Sequence, residues 1–274
     1  FLIREEIFLL TDPPMTTLLS ALQASVLTLT LNRPERANAF NADLIAELLQ
    51  ALREAARNPE VRCIVLTGAG RVFSAGQDIE EMRAGGESLS YLEHLRATYN
   101  PLVLMLRQVE KPVIAAVNGP CAGASLGIAL ACDLRIASET ANFVVGFNGI
   151  ALAPDSGVSL LLPALIGLGR AAEFTFSNAP IPAQQALEWG LVNRVVPAEA
   201  LSAETAKIAG MLAQGPAGAY GLTKRAFNKS MYPNLEEVLE YEGQVQEVAG
   251  HSPEHKEGVA AFLEKRRPKY GAFS

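Results

Sequence analysis

The sequence predicts an α/β protein closed by a run of C-terminal helices, and three observations carry that expectation. Short buried strands alternate with amphipathic helices as far as about residue 200. Two loops rich in glycine and alanine each follow a buried strand and lead into a helix. From residue 201 onward helices succeed one another with no strand between them.

The stretch VLTLTL at 26–31 alternates with period two and is closed by Asn32, Arg33 and Pro34, which makes it a strand ending in a loop. Asn41 can cap a helix whose Leu44, Ile45, Leu48, Leu49 and Leu52 form one apolar stripe. VRCIVLTG at 61–68 reads as a buried strand stopped by glycine, and GAGRVFSAGQD as the loop after it. A helix over 88–108 leads to Pro112 and the strand VIAAVNG. There follow GASLGIALACD as a buried helix, LRIAS and FVVGF as short strands, and the turn APDSG. LSAETAKIAGMLAQ, PAGAYGLTKRAFNKS, LEEVLEYEGQVQEVAG and PEHKEGVAAFLEKRR are successive amphipathic helices. Where their apolar faces are not covered internally, they favour self-association. The expected organisation is an extension at 1–23, disordered and with Met15 as the native start, a core at 24–200 and a helical oligomerisation region at 201–274.

With 274 residues, 49% of them hydrophobic, the chain can bury one large core without disulfides or structural metal. A net charge of −6 argues against nucleic acid as a partner, because such binding rests on a concentrated basic face. Cys63, Cys121 and Cys132 lie among apolar or small residues without metal-type spacing, so they read as small buried thiols and no metal site is expected. The first apolar run is interrupted by Arg4, Glu5 and Glu6, and no later run reaches the roughly 18 residues of a membrane span. A cytoplasmic small-molecule enzyme that binds no membrane is the resulting expectation.

Gly123-Ala124-Ser125-Leu126-Gly127 spells G-x-S-x-G, the turn that presents a nucleophilic serine in α/β-hydrolases, and Ser125, Asp155 and His251 or His255 follow in the matching chain order. That turn requires its first glycine to follow the strand directly, whereas Asn118 to Ala122 intervene here. An HGGG-type loop is missing, and His94, His251 and His255 sit in helical stretches where solvated histidines are expected. GAGRVFSAG lacks dinucleotide spacing, and GPCAG lacks the Lys-Ser/Thr of a phosphate loop. Close packing of small residues accounts for Gly127 but not for two separate loops. Such loops leave free backbone N–H groups at helix starts, where a developing negative charge can sit. The backbone at Ala124 therefore matters more than the Ser125 hydroxyl.

LNRPERANAF, FSAGQDIEEM, AVNGPCAGASLGIALACDLRIAS, ALAPDSG, AQQALEWGLVNRVV and EGVAAFLEKR together resemble the crotonase (enoyl-CoA hydratase/isomerase) superfamily over residues 24–270. The resemblance implies a spiral of ββα units with a C-terminal helical trimerisation subdomain, a homotrimer or dimer of trimers, and acyl-CoA thioester substrates with no prosthetic group. It implies that the N–H groups of Ala75 and Ala124 bind the thioester oxygen. It also implies that coenzyme A lies along Arg36, Ala37, Ala39, Ala75, Asp78 and Ile79, with Phe262 and Lys265 closing over it.

The departures from the family pattern point to the reaction. A hydratase of this family holds water between two glutamates, and those positions are Gly127 and Phe147 here, neither of which transfers protons. Asp155 remains, flanked by Leu152, Ala153 and Val158, and an apolar pocket would raise its pKa. An Asx-turn or a helix cap is the competing role for Asp155. One acid/base beside an oxyanion hole suits a 1,3 proton shift, hence an acyl-CoA isomerase acting on an enoyl- or ring-epoxide thioester. A hydratase-type lyase of fatty-acid or aromatic catabolism, a serine hydrolase using Ser125 and a non-catalytic CoA-binding paralogue are the alternatives. Phe40, Met82, Met105, Phe143 and Phe147 are candidates for the acyl pocket.

Overall fold

A computed structural model describes residues 16–84 and 90–272, so the expected start at Met15 lies outside the described residues. The described chain begins with a hairpin. Strands β1 (Leu18–Gln23) and β2 (Val26–Leu31) pair antiparallel across Ala24 and Ser25, both at positive φ, the turn geometry whose twist matches that of the strands. Leu18–Gln23 therefore belongs to the sheet, which corrects the boundary expected at residue 24. Five of its six positions are exposed, so its sequence lacks the buried alternation that marks a strand.

Helix α1 (Ala42–Arg57) is capped by Asn41, whose side chain accepts from the Leu44 N–H at 3.0 Å, and it buries the expected leucine stripe. Strand β3 (Cys63–Gly68) and helix α2 (Ile79–Ala84) follow. The single helix expected over 88–108 is two, α3 (Tyr91–Ala97) and α4 (Tyr99–Gln108). They meet at Thr98, whose hydroxyl donates to the His94 carbonyl and whose φ of −121° and ψ of −81° break the helix. Then come β4 (Val113–Val117), β5 (Cys121–Ala122), α5 (Ala124–Ala131), β6 (Leu134–Ser138) and β7 (Asn142–Val144). FVVGF is thus a strand only in its first half, because Gly146 turns the chain at φ +85° into a 3-10 turn at Phe147–Ile150. The remaining elements are α6 (Val158–Ile166), α7 (Leu168–Ser177), β8 (Ile181–Pro182), α8 (Ala183–Trp189), β9 (Arg194–Val196), α9 (Leu201–Gln214), α10 (Ala217–Met231), α11 (Leu235–Gly250) and α12 (Pro253–Leu263).

The main sheet runs β1-β2-β3-β4-β6-β9 and is parallel beyond the first pair, while β5-β7-β8 form a second, smaller sheet. Alternation along β3 and β4 sets the layers. Ile64, Leu66, Val113, Ala115 and Val117 face the core built with α1, α4 and α5. Cys63, Val65, Ile114 and Ala116 face the layer covered by Leu201, Ile208 and Ala209 of α9. The chain is therefore an α/β spiral with its helical C-terminal region, and that region folds back: α11 packs on α3, α4 and α6, and α12 on the Phe147–Ile150 turn.

Candidate active site

Two glycines bring the strand-following loops together. Gly76 (φ +91°) and Gly123 (φ +59°) face one another, and a Cβ at Gly76 would lie 2.6 Å from the Ala122 oxygen and 3.3 Å from the Ala124 nitrogen. No side chain fits there. The residue after each glycine, Gln77 and Ala124, lines one cavity of about 830 Å3. Around Gln77 the Gly76 carbonyl accepts from Phe40 N–H (2.7 Å) and the Asp78 N–H donates to the Phe40 carbonyl (2.9 Å), so the Gln77 N–H between them points away from Phe40. Ala124 is the first residue of α5, where an N–H has no partner within the helix. Ala75 also lines the cavity, but its N–H donates to the Ala37 carbonyl at 3.0 Å. This corrects the expected donor: Ala75 is occupied, and Gln77, two residues on, presents the N–H.

Asp155 is the one carboxylate among the described residues lining this cavity, and it is 7% exposed. Burial pushes its carboxyl up to about 6, against the pull of hydrogen bonds from the Ser156 hydroxyl to Oδ1 (2.7 Å) and from Gln246 Nε2 to Oδ2 (2.6 Å). The capping role weighed for Asp155 is performed by another residue. Glu242 of α11 accepts from the Gly157 N–H (2.8 Å), the Ser159 N–H (3.0 Å) and the Ser159 hydroxyl, holding the start of α6; burial pushes its carboxyl up to about 7. Gly127 packs against the same turn, where a Cβ would lie 2.4 Å from the Ser156 oxygen. A glutamate at that position would have to displace the Asp155 turn.

Met82 and Phe147 of the expected pocket residues line the cavity, with Ile79, Leu95, Leu152 and Phe262. Phe40 and Phe143 are fully buried in the core and Met105 packs against it, so these three belong to packing. The expectation of solvated histidines holds for His251, which is exposed, and fails for the other two. His94 donates through Nε2 to Gln77 Oε1 (3.1 Å), which also accepts from the Tyr99 hydroxyl (2.7 Å). The tautomer follows because Gln77 Nε2 is turned to the Phe40 and Asp78 carbonyls. His255, 7% exposed, contacts the Tyr91 hydroxyl at 3.0 Å and the Ile150 carbonyl at 2.7 Å, and burial lowers the pKa of both histidines. Tyr91, Tyr99 and Gln246 are cavity residues that the sequence did not single out, because they stand in helical stretches with no motif around them.

Ser125 is fully buried, and its hydroxyl contacts the Ala122 N–H, the Ser74 and Ala122 carbonyls and Cys121 Sγ, with no histidine. It ties the loop, which removes the basis for a serine nucleophile. The three cysteines are buried, and burial pushes each thiol up to about 12. Of the residues expected along coenzyme A, Ala75, Ile79 and Phe262 reach the cavity, while Arg36, Ala37, Ala39, Asp78 and Lys265 are not in its wall. Asp78 pairs with Arg33 at 3.0 Å and accepts from the Glu80 and Glu81 N–H groups at the start of α2.

Paired backbone donors and one buried carboxylate around an apolar cavity define a site that can stabilise an oxyanion and move a proton. The family model Enoyl-CoA hydratase/isomerase matches residues 21–272, and the chain belongs to that family, whose enzymes act on CoA thioesters. It is 41% identical to the 1,2-epoxyphenylacetyl-CoA isomerase of Escherichia coli (strain K12) over 93% of this chain and 98% of that protein. To a probable enoyl-CoA hydratase of Rhodobacter capsulatus it is 40% identical over 88% and 93%. The crystal structure of an enoyl-CoA hydratase from Mycobacterium avium subsp. paratuberculosis K-10 superposes with a TM-score of 0.85 at 37% identity, covering 93% of this chain and 99% of that one.

Proposed function

We propose that this enzyme is an acyl-CoA isomerase in which Asp155 carries a proton between two carbons of a thioester. The observation that carries the reading is Asp155 as the one carboxylate among the described residues of the cavity wall, beside a Gly127 with no room for a second one. The thioester oxygen accepts from the Gln77 and Ala124 N–H groups, each such donor contributing about 2.7–4 kcal/mol in the transition state. Ionised Asp155 takes a proton from C2 of a 3-enoyl thioester. The electron pair spreads over the thioester oxygen and the C3–C4 double bond, and Asp155 returns the proton at C4, leaving the 2-enoyl product. The resemblance to the Escherichia coli isomerase supports a ring epoxide of an aromatic acyl-CoA, as in phenylacetate catabolism, as the physiological substrate.

Coenzyme A runs past Ile79 towards the exposed Arg36, with Ala37 and Ala39 beneath it and Phe262 and Lys265 closing from the C-terminal side. Leu222, Phe227, Met231, Tyr241 and Val248 leave α10 and α11 with exposed apolar side chains, which supports a homotrimer or a dimer of trimers.

The test is to offer a 3-enoyl-CoA and a 2-enoyl-CoA separately and follow the conjugated thioester absorbance. Wild type forms the conjugated product from the 3-enoyl-CoA, and Asp155→Asn lowers that rate by about 10²–10⁴. Full activity in Asp155→Asn removes the reading. Loss of 2-enoyl absorbance by water addition, unaffected by the substitution, makes the enzyme a hydratase.

A further inference from the structure

We infer that Gln246 is a positioning residue for the proton transfer, present to hold the Asp155 carboxylate in place rather than to stabilise the fold; this rests on the proposed role of Asp155. Gln246 is 1% exposed and belongs to the wall of the active-site cavity. Its Nε2 donates to Asp155 Oδ2 at 2.6 Å, and its Oε1 is buried with no hydrogen-bond partner among the described residues. A residue serving only the packing of α11 would be apolar here, because an orphaned buried acceptor destabilises the folded state. Among the described residues, the hydrogen bond its amide makes is with Asp155. That interaction also has a geometric frame: Glu242, one turn earlier on α11, grips the Gly157 and Ser159 N–H groups. A single face of α11 therefore fixes both the turn that carries Asp155 and the carboxylate itself.

Donation to Oδ2 favours the ionised form that must begin each turnover, and it leaves the carboxylate's remaining lone pairs for the substrate carbon. The Ser156 hydroxyl, donating to Oδ1 from the same turn, favours the ionised form as well, while the remaining groups do not. Glu242 on α11, its carboxyl pushed up to about 7 by burial, is a like charge only above that pH, the Tyr99 hydroxyl on α4 is fully buried and stays neutral, and α5 presents Gly127. His94, His251 and His255 lie elsewhere in the cavity wall.

The deciding measurement is the pH titration of the Asp155 carboxyl by ¹³C NMR on aspartate-labelled protein, with Asp155→Asn identifying the signal and no substrate needed. In Gln246→Met, a similar volume without the donor, the midpoint rises by about one pH unit from its wild-type value near 6. The acid limb of kcat for a 3-enoyl-CoA moves up with it, kcat at pH 6 falls several-fold, KM is little changed, and the melting temperature does not fall. Gln246→Leu gives the same pattern and stands in if the methionine variant folds poorly. An unchanged Asp155 midpoint in both variants overturns the inference, as does a fall in melting temperature with no change in the pH profile. If Asp155→Asn is fully active, the isomerase reading fails instead, and the titration still reports whether Gln246 holds Asp155.

Discussion

Asp155 is held with its pKa up to about 6, above its ordinary value, because water is excluded and the two donors it meets do not compensate. Its folded pKa exceeds its unfolded one, so folding binds a proton between about pH 4 and pH 6. The stability linked to it is complete below pH 4 and lost as the pH rises through 6. Glu242, raised to about 7, acts in the same direction over a slightly higher window. Removing the charge should therefore stabilise the alkaline form. Asp155→Asn melts several degrees above wild type at pH 8, on the order of 1–3 kcal/mol, and the gap closes at pH 4. Melts of the two proteins at both pH values check this; equal melting at pH 8 would mean that Asp155 is better solvated than its surroundings suggest. The sequence showed Asp155 as a lone carboxylate among apolar neighbours. It could not show that the Ala75 N–H is taken, because that depends on the Ala37 carbonyl capturing it across the fold.

Elements were legible where one periodicity ran unopposed. The α1 stripe, the doubly buried β3 and β4 and the four terminal helices all announce themselves in this way. The two-residue strands β5 and β8 carry no such signal, and the break at Thr98 is a tertiary event inside a helical pattern. The spacing of Glu242 and Gln246 puts them on one face of α11, yet nothing in that helix names the turn they meet. Because α5 and the Asp155 turn touch at Gly127, even one methyl group there has a consequence. Gly127→Ala would place its Cβ 2.4 Å from the Ser156 oxygen, and overpacking of this kind costs about 1–3 kcal/mol. The expected outcome is a lower melting temperature together with a kcat that falls more than KM changes, since the displaced group is the proton carrier. A melt and a steady-state titration decide it. A fully active Gly127→Ala would show that the turn yields without moving Asp155.

The C-terminal helices serve the molecule twice, since the inward faces of α11 and α12 wall the cavity while α10 and α11 turn apolar side chains outward. The inward role ties catalysis to the packing of this region. In the proposed assembly, self-association buries Phe227 and Met231, which lie one turn apart on α10 and are 60% and 56% exposed in the single chain. An interface built on such residues depends on apolar area rather than charge, so it should persist when salt is raised. Sedimentation at micromolar concentration should give a mass three or six times that of the chain, unchanged between low and high salt. Phe227→Asp combined with Met231→Asp should shift the species to lower mass while leaving the helical circular dichroism intact, because both side chains are solvent-facing in the single chain. Lower activity of this variant at dilution, recovered at high protein concentration, would tie assembly to the α11 and α12 walls of the cavity. A wild-type chain that sediments as a monomer would mean that these outward faces stay in water, and that the cavity owes its shape to the chain alone.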